Sequence, residues 1–91
     1  PATANIISSV ANGLATDLAQ TLLMATTKQI VFVPSMNVRM WENKLFQKNI
    51  DTLISNGYEF LGPTEGEMAC GEFGMGRMME PQQIFQSLVT K

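Results

Sequence analysis

Residues 30–41, IVFVPSMNVRMW, join a short apolar run to a loop that carries amide and thioether side chains. The run at residues 30–33 is apolar and mostly β-branched, a composition that favours a buried strand. Pro34 ends this strand, because proline lacks the backbone N–H that a central strand donates. The stretch therefore predicts a strand of a covered sheet, with Asn37 in the loop at its carboxyl end.

Helical periodicity precedes this strand. Apolar residues recur at three- and four-residue steps from about residue 5 to residue 26, which predicts an amphipathic helix with an inward stripe formed by Ile7, Val10, Ala11, Leu14, Leu18 and Leu22. Gly13 falls inside this segment, and glycine costs about 1 kcal/mol relative to alanine within a helix. The segment therefore forms either one helix or two helices that separate near Gly13.

Helix and strand signals alternate again after the loop. A helix is expected from about residue 42 to residue 56, where Asn56-Gly57 is a stop signal, and a second strand is expected at residues 58–61. Pro81 suits the first turn of a last helix. The side chains predicted to face the core from these two helices are Phe46, Ile50, Leu53, Ile84, Phe85 and Leu88.

The order of elements predicts the fold class. Helices that alternate with strands are typical of a doubly wound parallel α/β sheet, in which crossover helices join the strands. Two strands leave such a sheet uncovered, so we expect further strands upstream. The carboxyl ends of parallel strands share one edge, where ligands bind. If an upstream strand ends just before Pro1, three segments meet at that edge: the amino-terminal segment (1–5), the strand-end loop (34–41) and the glycine-rich segment (62–78).

Composition limits the classes of function. The chain has 91 residues, a net charge of −2, one cysteine and no histidine. Its length predicts one small domain of marginal stability, and its acidic balance argues against a nucleic-acid surface. A single cysteine forms no internal disulfide, so we expect a reducing, cytoplasmic compartment. We predict no metal site, and no segment has the length of a membrane span or the pattern of a secretory signal.

Polar residues of the three segments have two interpretations each. Asn5 and Asn37 are either helix-cap or turn residues, or amides that bind a ligand. Cys70 stands near four glycines, in a segment predicted to be a mobile lid that brings the thiol to a ligand. It is otherwise an incidental thiol. The local sequence does not decide between these interpretations.

The larger side chains of the strand-end loop are equally open. Met36, Met40 and Trp41 are either core residues or the apolar wall of a pocket for a flat ring, because thioethers pack well on aromatic rings. Arg39 and Arg77 are most simply solvated or paired with nearby glutamates.

Three motifs in series resemble those of the flavin-dependent cysteine decarboxylase family: PATAN (1–5), PSMNVRMW (34–41) and ACGEFGMGRM (69–78). Within the family the resemblance is to the phosphopantothenoylcysteine decarboxylases. It extends over nearly the whole chain, including ANGLATDL (11–18) and MEPQQI (79–84). The resemblance implies that residues 1–91 are the carboxy-terminal half of a single flavodoxin-like, Rossmann-type decarboxylase domain.

The chain departs from the family at several points. Thr3 stands where the family often has serine, Ile6 where it often has threonine, and Glu72 where it usually has aspartate. The family's first half holds an FMN phosphate loop and a histidine base, and neither is found in these 91 residues. We therefore expect this chain to be inactive by itself.

The resemblance implies a reaction and roles for named residues. With FMN as cofactor, the family oxidises the cysteinyl thiol of 4′-phosphopantothenoylcysteine to a thioaldehyde, from which carbon dioxide leaves. Reduction of the resulting enethiol gives 4′-phosphopantetheine for coenzyme A biosynthesis. Asn37 would hold the substrate carboxylate, and Cys70 would supply the last proton. The resemblance assigns Thr3, Asn5 and Met40 to FMN, and Asn5, Asn37, Met40, Ala69 and Cys70 to the substrate.

The resemblance also implies partners and two alternative functions. The family forms homotrimers or higher oligomers. In many bacteria the domain is fused to the ligase that makes its substrate, which would begin about where this chain stops. One alternative is a peptidyl-cysteine decarboxylase of peptide-antibiotic maturation, which lacks the final reduction. The other is a non-catalytic, flavin-binding regulatory relative.

Overall fold

The computed structural model describes residues 1–67 and 73–90. In these residues the chain forms five helices and four short strands. In chain order they are α1 (Ala4–Ala11), α2 (Leu18–Ala25), β1 (Val31–Phe32), α3 (Val38–Glu42), α4 (Lys44–Ser55), β2 (Glu59–Phe60), β3 (Thr64–Glu67), β4 (Phe73–Arg77) and α5 (Pro81–Val89).

The two predicted strands pair in parallel. Phe32 of β1 lies opposite Phe60 of β2, and the N–H of Leu61 donates to the carbonyl of Phe32 at 2.9 Å. Successive residues of a strand direct their hydrogen-bonding groups to alternate sides. The carbonyl of Val33 accordingly faces away from β2 and accepts the N–H of Ala2 at 2.8 Å. Strand β1 is therefore central, with β2 on one side and the amino-terminal segment on the other.

The first predicted helix is divided in two. Helix α1 ends at Ala11, and Gly13 has a φ of 70°, a left-handed conformation that glycine adopts without strain. Asp17 then caps α2, because its carboxylate accepts the N–H of Gln20 at 2.8 Å. The turn changes the direction of the chain, so the apolar stripe of α1 does not continue into α2. The prediction of an inward stripe is wrong for its second half: Leu14, Leu18 and Leu22 are exposed, Leu18 by 73%.

The core lies between α1, α4 and the parallel strands. Five apolar side chains are buried there, and the three predicted from α4 are among them: Ile7, Phe32, Phe46, Ile50 and Leu53. The prediction for the last helix is wrong in part. Helix α5 begins at Pro81 as predicted, but Phe85 is 64% exposed and Leu88 is also exposed, because α5 packs only loosely on the other described elements.

The glycine-rich segment forms an antiparallel hairpin that was not predicted. Strand β3 pairs with β4, with Gly66 opposite Gly74 and an irregularity at Thr64/Glu65. The prediction of an irregular loop is therefore wrong for residues 64–67 and 73–77, whereas the prediction that this segment is a lid stays a prediction. Glycines suggested a flexible loop, whereas the backbone ladder that forms here needs no side chains. Ala69 and Cys70 lie outside the described residues.

Candidate functional site

Backbone hydrogen bonds join the three segments at one edge of the sheet. The N–H of Ser35 donates to the carbonyl of Ala2 at 3.0 Å, directly after the parallel bridge between Ala2 and Pro34. On the other side of the loop, the N–H of Met36 donates to the carbonyl of Gly76 at 2.9 Å. The strand-end loop therefore lies between the amino-terminal segment and the hairpin. The predicted convergence of the three segments is confirmed.

Asn37 caps a helix at this edge. Its side-chain oxygen Oδ1 accepts the N–H of Met40 at 2.9 Å and so begins α3. The cap interpretation of Asn37 is therefore confirmed, and the side chain is half-buried. The cap uses Oδ1 as an acceptor, and the amide nitrogen Nδ2 is the donor that Asn37 offers to a ligand.

Thr3, and not Asn5, caps α1. The hydroxyl oxygen of Thr3 accepts the N–H of Ile6 at 3.3 Å. Asn5 lies within the first turn of α1 and is exposed, so the cap interpretation of Asn5 is wrong. Threonine and asparagine are both good N-cap residues, and the sequence rule therefore did not separate them. The Asn5 amide therefore does not cap α1.

The large side chains of the strand-end loop divide between core and cavity. Met36 and Trp41 pack against the core. The rings of Trp41 and Phe46 pack edge to face, with 5.9 Å between their centroids. Met40 is 46% exposed. With Asn37, Arg39 and residues of α1 and α4, it lines an open cavity of about 430 Å³. The core interpretation therefore holds for Met36 and Trp41, whereas Met40 and Asn37 share one cavity.

Polar residues that the sequence analysis missed tie α1 to α4 beside this cavity. Asn49 donates from Nδ2 to the hydroxyl of Ser8 at 3.1 Å, and its Oδ1 accepts from Asn12 at 3.4 Å. Gln47 donates from its side chain to the carbonyl of Trp41, at the end of α3. A polar residue one position from a predicted core residue, such as Ser8 beside Ile7, was the signal available in the sequence.

Two arginines lie near this edge: Arg39 lines the cavity beside Asn37, and Arg77 belongs to the hairpin. Arg77 pairs with Glu80 at 3.1 Å on the exposed side of the hairpin, as one interpretation predicted. Residues 1–67 and 73–90 contain no group of three histidine, cysteine, aspartate or glutamate side chains that would hold a metal ion. Nor do those residues form a helix long and apolar enough to cross a bilayer. The described edge thus offers amides, hydroxyls, a thioether and, at the cavity that Met40 lines, the guanidinium of Arg39.

Comparison with known families identifies the chain. The Flavoprotein family profile matches residues 1–91, the whole of the sequence. The chain belongs to the Flavoprotein family.

Curated relatives of this flavoprotein are large bifunctional proteins. The coenzyme A biosynthesis bifunctional protein CoaBC of Bacillus subtilis (strain 168) is 45% identical over 84 residues, which are 92% of the flavoprotein and 21% of the relative. The CoaBC protein of Escherichia coli (strain K12) is 40% identical over 90 residues, 99% of the flavoprotein and 22% of the relative. The flavoprotein thus spans about a fifth of the length of these relatives.

Solved structures resemble the flavoprotein over nearly all of its length. A cysteine-to-serine mutant of PPC decarboxylase complexed with pantothenoylaminoethenethiol has a TM-score of 0.93 and is 29% identical. The FMN binding protein AtHal3 has a TM-score of 0.86 and is 30% identical. Each comparison covers 99% of the flavoprotein and 50% of the solved chain. The epidermin biosynthesis protein EpiD from Staphylococcus aureus has a TM-score of 0.81, is 31% identical, and covers 96% and 54%. These likenesses confirm the predicted flavodoxin-like α/β fold.

The side chains at the edge fit the ring of a flavin. Thr3, Asn5 and Asn37 provide neutral hydrogen-bonding groups, which suit the carbonyl and nitrogen atoms of such a ring. The half-exposed thioether of Met40 suits its flat face. The cavity that Met40 and Asn37 share, about 430 Å³, lies within the size range of small-molecule sites.

Proposed function

We propose that this flavoprotein provides one half of an FMN-dependent decarboxylase domain that converts 4′-phosphopantothenoylcysteine to 4′-phosphopantetheine in coenzyme A biosynthesis. The observation that carries the proposal is the hydrogen-bonded meeting of the amino-terminal segment, the strand-end loop and the hairpin at one sheet edge. The same segments carry the family motifs. The likeness to a PPC decarboxylase structure, at a TM-score of 0.93, supports the assignment.

Thr3, Asn5 and Met40 would hold the flavin ring. The hydroxyl of Thr3 uses its oxygen for the helix cap and keeps its hydrogen for donation, while Asn5 presents an exposed amide. When bound, FMN supplies the two-electron oxidation of the cysteinyl thiol and returns the electrons after carbon dioxide has left. The protein's own contribution is to orient the substrate beside the ring and to control protons there.

Substitutions at Thr3 and Asn5 compare a residue that both caps α1 and would contact the flavin with one that would only contact the flavin. Thr3→Ala should lower the free energy of unfolding by about 1 kcal/mol, because the Ile6 N–H loses its acceptor. Asn5→Ala should change it by less than about 0.5 kcal/mol, because Asn5 is exposed. The same variant should weaken FMN binding about tenfold through loss of one hydrogen bond. Urea unfolding of the apoprotein measures the change in stability, and titration with FMN measures the change in affinity. Equal losses of stability in Thr3→Ala and Asn5→Ala would contradict the assignment of the helix cap to Thr3.

Asn37 would bind the substrate carboxylate through Nδ2. Its Oδ1 accepts the Met40 N–H, which orients the amide, and the two N–H bonds of Nδ2 are the donors that it offers to the carboxylate. A neutral amide suits this task better than a cation. A cation would stabilise the carboxylate strongly before the reaction and lose that interaction as carbon dioxide forms, whereas catalysis needs interactions that persist into the transition state.

Cys70 would donate the last proton, and Ala69 beside it would contact the substrate. A thiol with a reference pKa of about 8.5 is a far better acid than a serine hydroxyl. The relative solved as a cysteine-to-serine mutant is complexed with a compound named as an ethenethiol, the kind of product expected when decarboxylation precedes a blocked reduction. This supports Cys70, the one cysteine of the chain, as the proton donor.

An assay with two substrates tests the proposed function against its alternatives. The full-length flavoprotein, loaded with FMN, should release carbon dioxide from 4′-phosphopantothenoylcysteine and form 4′-phosphopantetheine. A peptide that ends in cysteine should remain unchanged. Carbon dioxide from the peptide alone would favour the peptidyl-cysteine decarboxylase, whose relative EpiD has a TM-score of 0.81. Bound FMN with neither substrate consumed would favour the non-catalytic regulatory relative.

We also propose that the full-length protein works in the cytoplasm as a homotrimer or higher oligomer, associated with or fused to the ligase that makes its substrate. The bifunctional nature of the curated relatives supports the ligase. The exposed leucines of α2 and Phe85 of α5 are apolar surface that further protein would cover.

A further inference from the structure

We propose that Gly74 and Val38 form a positioning pair that fixes Asn37 for decarboxylation. The missing side chain at Gly74 allows β4 to lie directly on α3, and this contact holds the turn on which Asn37 stands. The inference rests on the proposed function, because it concerns the placement of the residue that would bind the carboxylate.

The contact between the two residues is close. A methyl group built on Gly74 would lie 2.8 Å from Cγ2 of Val38 and 3.5 Å from its Cβ. Carbon atoms reach their optimal separation at about 3.5–4.0 Å, so the first distance requires β4 or α3 to move. The φ of Gly74 is 146°, a conformation that other residues rarely adopt. Only glycine therefore permits this approach of the hairpin to α3.

A second contact with β4 lies on the other side of Asn37. Met36, the residue before Asn37, donates its N–H to the carbonyl of Gly76 at 2.9 Å. Val38, the residue after Asn37, packs against Gly74. The same strand therefore holds both neighbours of Asn37, and the side chain of Asn37 is fixed in turn by its bond to the Met40 N–H. A shift of β4 would therefore displace Asn37 and loosen its cap bond to the Met40 N–H.

A double-mutant cycle tests the pair in the full-length flavoprotein. Gly74→Ala should lower kcat for carbon dioxide release about 100-fold, the size expected for a displacement of about 1 Å at a reacting group. In the Val38→Ala background the nearest atom to the new methyl group is Cβ at 3.5 Å, an ordinary contact. There, Gly74→Ala should lower kcat by no more than about fivefold. Gly74→Ala introduces the same backbone strain in the wild-type and Val38→Ala backgrounds, so this strain cancels when the two effects on kcat are compared.

Ile54 supplies a matched control. It is also a β-branched residue of a helix, but it is exposed by 55% on α4. Ile54→Ala should leave kcat unchanged and should not reduce the effect of Gly74→Ala. Rescue by Ile54→Ala equal to that by Val38→Ala would show a general response to destabilisation and would overturn the pair.

Amide hydrogen exchange at Met36 and Met40 gives a readout that does not depend on activity. Gly74→Ala should lower the protection of both N–H groups about tenfold, and Val38→Ala should restore it in the double variant. If the cycle shows no coupling in exchange, the positioning pair is wrong whatever the activity. If exchange shows coupling but the wild-type protein releases no carbon dioxide, the pair stands and the proposed function fails. Coupling in thermal stability alone, with kcat effects that simply add, would also overturn the inference.

Discussion

Asn37→Asp should lower the rate of carbon dioxide release by about 100-fold or more while FMN remains bound. The substrate carboxylate would lose the N–H donor of the amide, and a polar group left unpaired in a site costs about 1–3 kcal/mol. The new carboxylate at position 37 would also repel it, because the two charges are alike. Helix α3 should still form, because aspartate caps as well as asparagine does and would keep an oxygen for the Met40 N–H. The measurement is carbon dioxide release per bound flavin, with flavin absorbance as the check on binding.

Two controls separate charge, donor and cap at Asn37. Asn37→Ser keeps a cap oxygen but removes the amide without adding charge, so its rate should fall less than that of Asn37→Asp. Asp17→Asn makes the reverse exchange at the cap of α2, where the carboxylate accepts the Gln20 N–H at 2.8 Å. It should leave the rate unchanged. Near-normal carbon dioxide release by Asn37→Asp would contradict the proposal that Asn37 binds the substrate carboxylate.

Cys70→Ser should block the last reduction and spare decarboxylation. Serine is a much weaker acid than a thiol, whose reference pKa is about 8.5, so the enethiol left after loss of carbon dioxide would not be protonated. The variant should release carbon dioxide and accumulate a product lighter than 4′-phosphopantetheine by two hydrogen atoms. The bleached flavin colour should fail to return, since its electrons are not returned to the product. Mass spectrometry and absorbance measure the two effects.

The other outcomes for Cys70→Ser are equally informative. Normal 4′-phosphopantetheine at an undiminished rate would make Cys70 an incidental thiol and would strengthen the peptidyl-cysteine and regulatory alternatives. Loss of carbon dioxide release together with reduction would mean that the thiol acts before decarboxylation or is needed for binding. Either result would contradict the proposed division of labour between Asn37 and Cys70.

The elements that the sequence predicted correctly are those with strong local signals. The β-branched run before Pro34 forms β1, and the spacing of Phe46, Ile50 and Leu53 gives the buried face of α4. Parallel pairing then followed from topology, and so did the meeting of the three segments. The residues of the candidate site were found because they stand where strands end, and in a parallel sheet those ends share an edge.

The wrong predictions come from contacts that a local pattern does not contain. A periodicity of three and four continues through Leu14, Leu18 and Leu22, but one turn near Gly13 changes the helix axis and separates them from the face of α1. The hairpin is held by backbone pairs between residues at least six apart, such as Glu67 with Phe73, so side-chain patterns do not reveal it. Propensity also ranks Thr3 and Asn5 alike as caps, and only the course of the backbone chooses between them.

The bonds that assemble the edge run from main chain to main chain, from Ser35 to Ala2 and from Met36 to Gly76. Such bonds do not require a particular side chain at Ser35 or Met36, but they depend on the count of residues between them. Evolution is therefore free to exchange the side chain at Ser35. A single insertion between Pro34 and Asn37 would change the spacing between the bridge at Pro34 and the cap at Asn37. Related sequences should vary here by replacement and keep the loop length constant.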